Sequence, residues 1–252
     1  IAGVPVDVVD MQGALARLRA AIRGSGLFHV STINLDFLVR AQRDSEVRRI
    51  FREAHLNVAD GAPVVWLCRL LGAEMPGRVA GADLVPALLA EAAEADAGVF
   101  LLGGEHGAAA AAAARLNERI PGVRIVGAYE PPRAAIEDMD NEEILARIAK
   151  ARPGVLLVAL GHPKQERWID LHRDRLDVAV AIGVGQVFDL IAGRVSRAPR
   201  WMQDSGLEWL YRATQEPRRL LSRYVVDAMW LLPLTLRTLG ARFAMGVTAA
   251  LF

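Results

Sequence analysis

The residue types best suited to polar chemistry fall at the ends of apolar runs. Gly161-His162-Pro163-Lys164-Gln165-Glu166 follows residues 155–160, a continuous apolar stretch that reads as a buried strand. Proline cannot donate to a sheet ladder, so the strand should stop before Pro163. A cation, an amide and a carboxylate then stand together where a helix begins, an arrangement suited to a polar ligand. Asp60-Gly61 closes the short apolar run 56–59, and a carboxylate there can accept a proton from an attacking hydroxyl. Thr32 and Asn34 close the run 28–33 and can orient a sugar or a diphosphate. Gly103-Gly104 closes the run 98–102 and opens an alanine-rich helix, whose N–H groups and positive end suit a phosphate. Gly183-Val184-Gly185 closes the run 177–182.

Each of these has a structural alternative. Asp60 can form a local turn, and Asn34 can cap the following helix. Gln165 and Glu166 can be solvated residues of a first helical turn, and Gly103-Gly104 an ordinary tight turn. Neither glycine pair completes a Gly-x-Gly-x-x-Gly fingerprint, which disfavours a dinucleotide-dependent oxidoreductase. The histidines show no metal-ligand spacing with Cys68 or with acids, and no metal or cofactor is expected. Asp138-Met139-Asp140 can hold a divalent ion, but it lies in an acidic run at a helix start, where the helix dipole favours acids. No nucleophile–base triad can be assigned from spacing.

The elements that must position these groups alternate. Helical spacing marks 11–22, 35–54 as one or two helices, 64–71, 84–95, 108–120 and 141–151. Strands are expected at 4–9, 28–33, 56–59, 98–102, 123–126, 155–160 and 177–182, with 78–83 a loop. Such alternation predicts an α/β fold: a mainly parallel, Rossmann-like sheet with helices on both faces, plus a helical C-terminal appendage. Ligands of such sheets bind outside the carboxyl ends of the strands, where all the polar turns above fall.

At 252 residues and 53% hydrophobic content the chain has ample core. Its single cysteine fits a reducing compartment, and its first residues show no signal peptide. Residues 217–252 carry Arg218, Arg219, Arg223, Arg237 and Arg242 against Asp227, a charge of +4 that leaves −3 on the remainder. Over residues 208–252, Trp209, Tyr211, Tyr224 and Trp230 are interleaved with leucines, and Leu220, Leu221, Tyr224, Val225, Ala228, Leu231 and Leu232 share helical spacing. A basic amphipathic helix of this kind lies in a membrane interface. It is too short in charge-free residues to span a bilayer, and Pro233 interrupts it. The alternative is a helical pair packed on the body or on a second copy. The organisation expected is therefore an α/β catalytic domain at 1–200 and a basic amphipathic appendage at 201–252.

Nine blocks together carry a family resemblance: Thr32-Ile33-Asn34, Ala59-Asp60-Gly61, Arg78-Val79-Ala80-Gly81-Ala82-Asp83, Leu102-Gly103-Gly104, Gly161 to Glu166, Gly183-Val184-Gly185, Arg197-Ala198-Pro199, Gly206 to Arg212, and Glu216-Pro217-Arg218. In number, order and spacing they resemble the WecG/TagA/CpsF family of bacterial glycosyltransferases, over nearly the whole chain. The resemblance implies an inverting, metal-independent transfer from a UDP-sugar to a polyprenyl-diphosphate-linked saccharide at the inner face of the cell membrane. It implies Asp60 as base with Thr32 beside it. It carries Gln165 over from the family's Pro-Lys-Gln-Glu block; with Asn34, Arg78, Gly103, Gly104, Lys164 and Glu166 from the polar strand ends and the blocks above, that residue is expected to bind substrate. Arg212, Arg218, Arg219 and Arg223 are the candidates to reach the site from the appendage. The implied partners are the UDP-sugar, the lipid-linked acceptor and the membrane surface, with no nucleic acid and room for a homo-oligomer. A non-catalytic nucleotide-sugar-binding subunit is the alternative.

Overall fold

A computed structural model describes residues 1–249, without the side chains of Arg219 and of residues 241–249. Among these residues six strands form one sheet: β1 (Phe28–Ile33), β2 (Leu56–Ala59), β3 (Gly98–Gly103), β4 (Arg124–Tyr129), β5 (Val155–Ala159) and β6 (Val180–Gly183). Their order is β2-β1-β6-β5-β3-β4 and every pairing is parallel. Among the described residues twelve α-helices surround it: α1 (Met11–Arg23), α2 (Leu35–Arg43), α3 (Ser45–Glu53), α4 (Ala62–Leu70), α5 (Gly81–Glu94), α6 (Ala108–Arg119), α7 (Asn141–Ala151), α8 (Lys164–Leu171), α9 (Val187–Ile191), α10 (Arg200–Asp204), α11 (Glu208–Gln215) and α12 (Pro217–Ala249). The expected α/β class and helical C-terminal segment are both present.

The two-residue period of the strands divides the core. Val99, Leu101, Val155, Leu157, Val180 and Ile182 face a cluster with α1, α5, α6 and α9. Phe100, Leu102, Leu156, Val158 and Ala181 face the other way, onto α7 and Trp168 and Ile169 of α8. A third cluster joins Ile33 and Ala59 to α2, α3, α4 and Leu234 of α12.

Several expectations shift. Residues 4–9 form no strand. The Asp7 N–H donates to Asn57 O (2.9 Å) and its carboxylate accepts from Asn57 N (2.8 Å), so this segment covers the edge of β2 without joining a ladder. The run 35–54 is two helices, broken at Asp44, whose side chain caps α3 by accepting from Glu46 and Val47 N–H. β4 runs three residues beyond 126. Asp140 caps α7 by accepting from Glu143 N at 2.9 Å, the helix-start role open to the Asp-x-Asp pair.

The residues 78–83 are not all loop. α5 begins at Gly81, and this early start matters below. α12 runs through Pro233. The proline leaves the carbonyl of Met229 without its helical donor, and both residues lie on the exposed side, where water can replace it. Leu220, Asp227, Leu234 and Thr238 form the buried face of α12, whereas Leu221, Val225, Met229, Leu232 and Leu236 are 54–71% exposed. The apolar residues read as one face are thus split between a packed side and an open one. The packed side docks on α2 and α4, with Arg43 over the Trp230 ring (5.0 Å) and Arg237 donating to Gln42 (3.0 Å).

Candidate active site

Asp60 stands at the carboxyl end of β2, its N–H donating to Ile33 O of β1 at 2.8 Å. Its half-buried carboxylate accepts from the backbone N–H of Gly81, the first residue of α5. That amide belongs to the four a helix leaves without an internal acceptor, so starting α5 at Gly81 aims a positive helix end at the acid. A Cβ on Gly81 would lie 3.5 Å from Asp60 Oδ2 and 3.6 Å from Thr32 Oγ1, so the backbone of α5, the acid and the threonine converge on one point. Thr32 itself is buried.

Burial raises the Asp60 pKa to about 6 from an ordinary 3.8. The Gly81 N–H, Arg78 and Arg212 oppose that rise, and Glu208 adds to it. A carboxylate tuned this way is a stronger base than a free aspartate and is ionised at neutral pH.

The surrounding charges come from both ends of the chain. Arg78 donates to Glu208 of α11 at 2.7 Å. Arg197 pairs with Asp83 of α5 (2.7 Å through Nη2) and lies 3.5 Å from Glu208. Arg212 of α11 donates to Gln186, just past β6, and Gln186 donates to Glu216 at 2.6 Å. At the α10–α11 turn, Gly206 has φ +75°, and a Cβ there would come within 2.8 Å of Ala62 Cβ. Only glycine lets that turn sit on the start of α4.

The other expected residues take specific places. Asn34 caps α2, its Oδ1 accepting from Phe37 N at 3.2 Å. Gln165 and Glu166 are 2% and 1% exposed. Gln165 accepts from Gly185 N (3.1 Å) and donates to Glu166 Oε1 (2.8 Å), while Glu166 Oε2 meets His162 Nδ1 at 2.9 Å. Burial opposes the Glu166 charge, but His162 and Gln165 outweigh it and hold the carboxyl below its usual range. These two residues brace the β5 and β6 exits from inside; neither presents its side chain to an open cleft. Lys164 donates to Ala134 O, and burial lowers its pKa.

Gly103 and Gly104 have φ +94° and +86°, and a Cβ on Gly103 would lie 2.5 Å from Ala159 O. The amides at the start of α6 already have a carboxylate: Glu130 accepts from Gly107 N (2.8 Å) and Ala109 N (2.7 Å). The glycine pair is also four strand positions from Asp60, about 19 Å at ordinary strand spacing, so a ligand touching both must be extended. Arg218 is exposed. Arg223 lies against Tyr224, 5.2 Å from its ring, and acts electrostatically on Asp227. The Arg219 side chain lies outside the described residues.

Sequence reasoning did not single out Gln186, Glu208 or the Gly81 amide. Gln186 follows Gly183-Val184-Gly185 at a strand exit, which is a usable signal. The Gly81 contact had none, because it depends on where α5 starts. Among the described residues no helix is long and apolar enough to cross a membrane.

A family model described as glycosyl transferase WecG/TagA/CpsF family matches residues 1–243. Two curated relatives are both named N-acetylglucosaminyldiphosphoundecaprenol N-acetyl-beta-D-mannosaminyltransferase. The one from Bacillus subtilis (strain 168) is 32% identical over 196 residues, covering 77% of this chain and 75% of the relative. The one from Bacillus spizizenii (strain ATCC 23059 / NRRL B-14472 / W23) is 33% identical over 212 residues, covering 82% and 80%.

Proposed function

The chain belongs to the WecG/TagA/CpsF family of glycosyl transferases, and on that premise we propose that it moves a hexose or N-acetylhexosamine from a UDP-sugar to a polyprenyl-diphosphate-linked saccharide in cell-surface polymer synthesis. The observation that carries the reading is Asp60, a carboxylate raised to about 6 under the N-terminus of α5, with Thr32 beside it and Arg212 in electrostatic reach. Asp60 takes the proton of the acceptor hydroxyl as that oxygen attacks the anomeric carbon. The bond to the UDP oxygen breaks on the opposite face, inverting the centre. The leaving diphosphate needs positive charge. In this reading Arg212 supplies it without a metal, helped by Arg218, Arg219 or Arg223 from the same segment.

Asn34, Arg78, Lys164, Gly103 and Gly104 are proposed to line the donor's path along the strand exits. Gln165 and Glu166 act as positioning residues, through the turn at Gly185. Residues 1–200 are then the catalytic body and 201–252 the appendage. The exposed stripe Leu221, Val225, Met229, Leu232 and Leu236, with exposed Trp201 and Trp209, suits peripheral seating on the cytoplasmic face, where its lipid-linked acceptor would lie.

The test is transfer from a panel of UDP-sugars, UDP-N-acetylmannosamine first, to a short-chain polyprenyl-diphospho-N-acetylglucosamine, with and without EDTA. A β-configured product by NMR and indifference to EDTA are expected. Loss of activity with chelator overturns the metal-free reading. Donor binding without turnover on any acceptor returns the protein to a non-catalytic subunit. Liposome binding that survives truncation after Glu216 removes the membrane role of the tail and leaves a second copy as the partner of its stripe.

A further inference from the structure

Between α4 and α12 lies a trough of about 240 Å³, walled by Pro63, Trp66, Leu67, Leu70, Leu231 and Thr235. No wall residue is charged. Trp66 is 56% exposed, an unusual position for a large ring beside an apolar depression. At one end the trough meets the active site in the chain itself. Pro63 follows Asp60 by three residues, and α4 extends from there to Leu70 over about 10 Å at helical rise. The α10–α11 turn flanks the same end: a Cβ on Gly206 would stand 3.8 Å from the Trp66 ring, and α11 carries Arg212. α12 forms the opposite wall of the trough. Leu231 and Thr235 line it, while the adjacent Leu232 and Leu236 are 66% and 60% exposed on the outer stripe.

An apolar trough whose α4 wall starts three residues after Asp60, beside the turn that leads to Arg212, and whose α12 wall adjoins an exposed apolar face matches an amphiphile with an anionic head and a hydrocarbon tail. We propose that this trough holds the first isoprenoid units of the acceptor's polyprenyl chain, leading them from the Asp60 end to the exposed face of α12. The identity of the occupant rests on the glycosyl-transfer reading above; the trough and its two ends do not. The charge complementarity at its head, and its continuity with the exposed stripe of α12, favour a lipid tail over a second copy of the chain.

The full chain is tested with geranyl diphosphate carrying a terminal benzophenone, followed by irradiation and peptide mapping. Label is expected within residues 62–71 or 228–236. Label confined to any other segment, label bridging two copies of the chain, or no saturable labelling overturns the proposal. Two variants keep it falsifiable. Thr235→Trp, which fills the trough, should reduce labelling at least tenfold. Trp66→Ser, at an exposed position that folding tolerates, should lower kcat/KM several-fold more for a C20 acceptor than for a water-soluble one with a phenyl aglycone. Equal falls for the two acceptors count against the trough. Labelling in the trough without sugar transfer to any acceptor would sink the transferase reading alone, and transfer with label elsewhere would sink the trough alone.

Discussion

Replacing Asp60 with Asn separates what this residue does for chemistry from what it costs the fold. The folded carboxyl titrates at about 6 and the unfolded one near 3.8, a difference worth about 3 kcal/mol. The remaining solvent contact of the half-buried group makes that an upper figure. The sign follows from proton counting. Between pH 3.8 and 6 the folded chain holds a proton that the unfolded chain has lost, so stability falls as pH rises through that window and levels above it. Asn carries no charge, and its Oδ1 can still accept from the Gly81 N–H. Urea denaturation should therefore show Asp60→Asn gaining on the parent by about 1.4 kcal/mol more at pH 8 than at pH 5. Over the same range the parent's kcat/KM should rise with a single acidic limb near pH 6, while the variant loses about 10²–10⁴-fold in rate. A stability gap that does not change with pH, or a limb that stays in the variant's residual activity, would falsify the assignment of Asp60 as a half-buried base with a raised pKa.

Four further outcomes follow from neighbouring contacts. Arg212→Ala should lower turnover about 100-fold and move the acidic limb up, whereas Glu208→Gln should move it down, because the two charges act on Asp60 with opposite sign; pH–rate profiles showing shifts in one direction would contradict this. Gln165→Ala should cost about 1–3 kcal/mol in denaturant, since it removes the acceptor of the Gly185 N–H and the Gln165 donor to Glu166 Oε1; a neutral result would mean that water replaces the amide. Gly206→Ala should destabilise by about 1–2 kcal/mol from its left-handed backbone alone, plus the 2.8 Å approach to Ala62; an unchanged melting temperature would show that the turn can lift from α4. Asp227 is pushed up to about 6 by burial and then by Asp36, against Arg223 and Arg40, so Asp227→Asn should stabilise the protein at pH 8 and lose most of that gain by pH 5.

The regular core was legible where periodicity carried it. β1, β2 and α7 coincide with the ranges their apolar spacing predicts, and the parallel sheet follows from alternation of the two periods. What was missed depends on contacts distant in sequence. Apolar content makes residues 4–9 read as a strand although Pro5 removes a ladder donor, and the side chain of Asp7 takes the Asn57 N–H that a ladder would have given to a backbone carbonyl. Gln165 and Glu166 read as ligands because polar residues at a strand end usually face solvent. Here a Cβ on Gly183, eighteen residues on, would lie 2.5 Å from Gln165 Nε2, so its absence makes room for the amide and lets the pair turn inward. Gly103-Gly104 opens a helix as expected, but Glu130, just past the end of β4, takes the amides that a phosphate would use.

In the proposed transfer, the same long-range pairing separates the arginines as candidates to meet the leaving diphosphate. Arg78 lies nearest Asp60 in the order of the blocks, yet its guanidinium is held by Glu208 at 2.7 Å, and Arg197 is held by Asp83 and approached by Glu208. Each of these cations arrives with an acid attached, so much of its charge is cancelled before any ligand enters. Arg212 differs in its partner. It donates to Gln186, a neutral amide that orients the guanidinium without cancelling it, and Gln186 is itself steadied by Glu216. An arginine oriented by an amide keeps most of its charge for an incoming anion and needs little reorganisation to meet one. Since α11, which carries Arg212, leads directly into α12, the charge at Asp60 depends on α12 staying docked on α2 and α4. Loosening that docking, for example by Leu234→Asp in the buried face, should therefore reduce turnover before it unfolds the sheet. Fluorescence-monitored unfolding and activity measured along one urea series would reveal the order, and activity that persists to the global midpoint would uncouple the tail from the base.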